Sequence, residues 1–203
     1  MAAISTVDNA LDSLKRIPGE LAGAEGPLAV KSPLTWGWHA AVLLAHHRLR
    51  PARDTFDQWF WTYLEGGETS LETERDAHWD ERQRLSLLEF VDMLSEAELS
   101  ILKPEFYQGW QDRTTRCQTL RKRVADVLGA SLNEQQRDEL LVLLAAYHRL
   151  LRLPAPVEFD PDALWKAMPA LFDLVEMLVD REHEHSAEIL EAVAAARKAL
   201  PGS

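Results

Sequence analysis

Apolar residues recur along this chain at the three-and-four spacing of helices, and almost nowhere at the alternate spacing of strands. The densest such stretch runs from Pro33 to Arg50. On a helical wheel Leu34, Trp38, Ala41, Val42, Ala45 and Leu49 cover one side, while Trp36, Ala40, Leu43 and Leu44 cover much of the other. A helix apolar on two sides belongs inside a bundle. The pattern therefore predicts a central apolar helix over 34–50, ended by Pro51. Between the two sides lies a narrow polar stripe of Thr35, His39, His46 and Arg50.

The flanking segments predict further helices. Ile4, Val7, Leu11, Leu14 and Ile17 share a face behind a capping Ser5 or Thr6, with Pro18-Gly19 as the stop and a loop reaching Ser32. Helix 54–65 starts at Asp54 and ends at Gly66-Gly67. Residues 69–102 read as one long or broken helix, charged to Arg84 and core-like after it. A helix opened by Pro104 runs to Leu128 with a seam through Phe106, Trp110, Arg113, Cys117, Leu120, Val124 and Val127, and Gly129 ends it. Asn133 caps the next helix, whose core run is Leu140 to Leu153. Asp160 caps the last, which carries Pro161 in its first turn and extends to about Leu200 with a kink near Pro169. The expected fold is all-α: a multi-helix bundle of about six to seven helices around the helix at 34–50. It forms a single domain over 1–203, with 1–32 as a peripheral helix and loop.

Composition narrows the classes of function. One cysteine, Cys117, excludes an intramolecular disulfide and a cysteine-based zinc cluster. No apolar run reaches the length of a membrane span and the first residues lack a signal-peptide pattern, so a cytoplasmic location is expected. Arginine well in excess of lysine fits a GC-rich coding sequence and suggests a bacterial source. The net charge is −11, distributed unevenly. The segment 54–105 is strongly acidic, and 31–53 and 106–130 are basic. Such a balance opposes broad binding to nucleic acid or an anionic membrane. It predicts instead that the acidic half of 69–84 lies beside the basic face of 105–128.

Three constellations carry candidate chemistry. His39 and His46 sit two turns apart, about 10 Å along the axis, so they need a further ligand to share a metal. Glu182 and His185, three apart, are expected on the inward seam of the last helix, where they could join those histidines in a mononuclear divalent-metal site. A di-iron bundle would need a second Glu-x-x-His, and the chain has none. Glu65 and Glu68, with Glu89 and Asp92, have a spacing that resembles that of helical nucleotide pyrophosphatases, which hold magnesium between paired carboxylates on two helices. Gly66-Gly67 falls inside the first pair, where a continuous helix would be needed. For each set the commoner case is a histidine satisfied at the core boundary or a solvated acidic face.

No complete catalytic set, phosphate-cradling loop or nucleophile elbow is present. Trp61 and Trp79 fall among polar neighbours, the placement typical of aromatics at interfaces. The expected function is a non-enzymatic helical module that binds a protein partner or itself. The alternative is a metal-dependent hydrolase, either pyrophosphatase-like or built on the His/Glu site.

Overall fold

The computed structural model describes residues 4–49, 91, 94, 95, 124–152 and 159–201. The expected helix 54–65 and most of the expected helices 69–102 and 104–128, with the tryptophans Trp61 and Trp79, the paired carboxylates and the acidic–basic pairing, lie outside the described residues. The fold is all-α. Its elements are α1 (Thr6–Ala22), a 3-10 turn (Pro27–Val30), α2 (Lys31–Leu49), α3 (Glu134–Arg152), α4 (Pro161–Leu178) and α5 (Ser186–Lys198). Among the described residues no helix is long and apolar enough to cross a membrane.

The chain forms two compact units. One comprises 1–48 with 134–203, the other 49–133. In the first, α3 packs on α4, α1 on α5, α4 on α5, and the 3-10 turn on α4. Within the second, Leu132 bridges Ser95 in parallel and donates its N–H to the Leu94 carbonyl at 2.7 Å. Buried Val91, Leu94, Val124 and Leu132 surround that link in sequence. A helical segment ends at Gly129, whose φ of 65° lies in the left-handed region that glycine enters without a Cβ penalty.

Local signals set several helix starts. Ser5 caps α1: its Oγ accepts the Asp8 N–H at 3.0 Å, while Asp8 receives the Ser5 N–H at 3.3 Å. Asp160 caps α4 by accepting the Asp162 N–H at 3.0 Å, with Pro161 at the first position. α3 begins directly after Asn133. Val7, Leu11, Leu14 and Ile17 form the buried face of α1 as expected, whereas Ile4 is exposed.

Two boundaries differ from expectation. Pro18 does not stop α1, which continues to Ala22 with the proline inside it. An internal proline costs about 3 kcal/mol through its lost N–H bond and ring clash. The extra turn is held from outside, because Glu20 accepts the Trp36 indole N–H at 3.0 Å and the Ser32 hydroxyl. The expected last helix is two helices. Pro169 sits within α4 on its exposed side, and the break comes later, between Leu178 and Ser186.

α2 starts at Lys31, three residues before the expected 34, and is buried at Leu34, Trp38, Ala40, Ala41, Leu44 and Ala45, while Trp36, Val42 and Leu43 of the expected two-sided apolar surface are only half-buried. Gly37 permits its close approach to α4. A Cβ built there would meet Leu171 Cδ2 at 2.6 Å. Leu171 belongs to the densest run of the core, with Met168, Phe172, Leu174, Val175 and Leu178 of α4 all fully buried.

Candidate functional site

The polar stripe of α2 faces α1 at its upper end. Ser13, buried on α1, has its Oγ 2.8 Å from its own helix's Asn9 carbonyl and 2.8 Å from His39 Nδ1. A carbonyl can only accept, so the single hydroxyl proton goes to Asn9 and His39 Nδ1 must carry the proton that Ser13 receives. Much of the imidazole is open to solvent, yet desolvation of its inner edge lowers its pKa. His39 is therefore a neutral clasp between α1 and α2. Beside it stands Trp36, half-buried, with the Arg16 guanidinium 5.2 Å above its ring, His39 edge-on at 6.2 Å and Glu20 on its N–H.

A second cluster gathers at the α4–α5 turn. The run Asp180-Arg-Glu-His-Glu-His185 offers no apolar side chain to bury, and the chain leaves the helix there. Val179 is extended. Asp180 Oδ1 then accepts the Glu182 N–H at 3.2 Å, and the Asp180 carbonyl accepts that of His183 at 3.1 Å. The same Asp180 oxygen receives Arg48 Nη1 at 3.0 Å, tying the turn to the end of α2.

Three half-buried imidazoles meet at this turn. His183 stands edge-on to His47 of α2, centroids 5.0 Å apart, and its ring lies 5.6 Å from that of His185. His183 Nδ1 accepts the His185 backbone N–H at 3.2 Å. His185 lies between carboxylates: Nδ1 is 3.1 Å from Glu188 and Nε2 is 3.6 Å from Asp8 on α1. Lys15 of α1 reaches Glu188 at 3.3 Å.

These pairings depress both carboxyls. Asp8 is lowered first by its hydrogen bonds to Ser5, then by the nearby charges of His185 and His183. Glu188 is lowered by hydrogen bonds to His185 and Lys15. A depressed carboxyl contributes stability that is complete above its unfolded pKa and lost as pH falls through the folded one. With ordinary values of 3.8 for Asp8 and 4.5 for Glu188, the loss falls in the acid range below those values. Thermal melts from pH 6 to about 3 should therefore show the Asp8→Asn/Glu188→Gln double variant losing less stability than wild type. Parallel curves would show that the pairs contribute nothing.

The sequence singled out His39, His46, Glu182 and His185, and the structure distributes them. His39 clasps Ser13, and His46 is half-buried on α2. Glu182, expected on an inward helical face, is exposed in the turn, because the helix that would have aimed it inward ends at Leu178. His185 is turned to Asp8 and Glu188. All four are described residues. Among the described residues no group of three or more His, Cys, Asp or Glu side chains could hold a metal ion. His47 and His183 were missed as partners. The signal available was the unbroken polar run 180–185, which marks a turn and puts neighbouring histidines side by side.

Fold and site together define an all-α chain whose polar clusters clasp helix to helix. No protein-family model, no curated protein and no solved structure matches it.

Proposed function

We propose that this protein is a non-enzymatic helical module that works by binding another protein. The observation that carries this reading is Trp36. An indole left half-open at the surface has area to offer a partner, and the contacts of Arg16, Glu20 and His39 already fix its rotamer. A rigid aromatic loses little conformational entropy on binding, and tryptophan is enriched among the few residues that dominate interface energies. Trp61 and Trp79, set among polar neighbours in the sequence, are the further anchors this reading would use.

The test is to cross-link the protein in its own cells, identify what it captures, and titrate the purified pair. Trp36→Ala should weaken that pair by about 30-fold or more, the scale of an interface hot spot of about 2 kcal/mol. The folded state should survive, since the ring is not in the core. A parallel titration uses Trp61→Ala/Trp79→Ala, and analytical ultracentrifugation of the protein alone detects self-association. Partners that bind all the variants as tightly as wild type would overturn the proposal.

A further inference from the structure

We infer that the last turn of α1 is a strap bound to the protein's own Trp36: residues 19–22 stay helical only while Glu20 holds α2, and an acceptor that takes the Trp36 N–H releases them. The local preferences of this turn oppose a helix. Pro18 cannot donate an N–H to the Leu14 carbonyl, and its ring crowds that carbonyl. Gly19 follows, the weakest helix former after proline. Glu20 puts a negative charge in the last turn, where the helix dipole is already negative and no basic residue answers it. Gly23 closes the helix with φ −108°, outside the left-handed region of a glycine cap.

Packing does not replace those losses. The buried face of α1 ends at Ile17. Beyond it Gly19, Glu20 and Ala22 are exposed and Leu21 is half-buried. The hold comes from two donors on α2, both received by the Glu20 carboxylate: the Trp36 indole N–H on Oε1 at 3.0 Å and the Ser32 hydroxyl on Oε2. They stand four residues apart on one face of that helix, so a single carboxylate spans them. A Cβ at Gly19 or Gly23 would meet nothing within 4 Å, which leaves the turn room to unwind. In the held state Glu20 occupies the one polar side-chain atom of Trp36. An acceptor brought by a partner to that N–H competes with Glu20, while Arg16 over the ring and His39 at its edge keep the indole in place. Binding and helix at 19–22 are then linked, each at the other's expense. This competition rests on the proposed role of Trp36 as an anchor; the conditional turn does not.

Glu20→Ala separates a strap from an ordinary helix end. Alanine is the better helix former and removes the misplaced charge, so local terms alone would tighten the turn. Loss of the strap unwinds it instead. Carbon chemical shifts of the full-length protein report the backbone residue by residue. In Glu20→Ala the helical offset of Gly19, Leu21 and Ala22 should fall by about half or more, with Leu11 and Leu14 unchanged. Trp36→Phe/Ser32→Ala, which removes both donors from the other helix, should do the same. Pro18→Ala/Glu20→Ala should recover the offset, because the missing N–H returns. An offset that holds or rises in Glu20→Ala, that survives the loss of both donors, or that falls equally at Leu11 would overturn the strap. Toward the partner captured above, Glu20→Ala should bind about fivefold or more tightly, the lower end of ordinary couplings. Equal or weaker binding would overturn the competition. Trp36→Ala binding as tightly as wild type would instead remove Trp36 as the anchor, and the shifts would still decide the turn.

Discussion

Trp38→Ala is expected to cost about 3–5 kcal/mol, the range for deleting a buried aromatic side chain. Such a loss is a large share of the roughly 5–15 kcal/mol that holds an ordinary domain folded. Trp38 is 2% exposed on α2, among the largest buried side chains of the protein. Its indole also carries a penalty, because Nε1 is buried with no hydrogen-bond partner among the described residues. An N–H stranded in this way costs about 1–3 kcal/mol. Trp38→Phe removes the stranded donor together with one ring, so the gap left behind and the relief should largely offset. The Phe variant is expected within about 1.5 kcal/mol of wild type, far above the Ala variant. Urea unfolding of all three proteins decides it. A Phe variant as unstable as Ala would mean that Nε1 is bonded in solution.

Gly37→Val should destabilise by about 2–3 kcal/mol through overpacking, although valine is the better helix former. The cause is Leu171 of α4, whose Cδ2 and Cγ would lie 2.6 and 3.2 Å from any Cβ at this position. A flexible side-chain tip at the surface would simply move aside. Leu171 is fully buried and has nowhere to go. Truncating it makes the room, so Gly37→Val/Leu171→Ala should be less unstable than the two single losses added together. A coupling of about 1–2 kcal/mol is expected from residues in direct contact. Strict additivity in the cycle, or a neutral Gly37→Val, would show that α2 and α4 are not so close.

Helix identity and helix starts were legible because their causes are local. Ser5, Asp160 and Pro161 act on their own first turns, and the spacing of Leu171, Val175 and Leu178 declares a buried face. Helix ends were less legible. Pro18 carries a local penalty that Glu20 offsets through Trp36 and Ser32, twelve or more residues away. The break after Leu178 carried a sequence signal, a polar run with no apolar residue. That run still had the helical spacing that made Glu182 and His185 look like one inward pair.

By itself the sequence determined the class of fold, the faces of α1 and α4, and which residues were available for polar chemistry. Only the tertiary structure decided which of those residues meet. Burial of an apolar face depends on periodicity, which a chain carries within each helix. A histidine or carboxylate is satisfied by whatever donor or acceptor packing brings within about 3 Å, and nothing local specifies that partner. So His39 found Ser13 and His185 found Asp8 and Glu188. His47 and His183, separated by most of the chain, came to stand ring against ring.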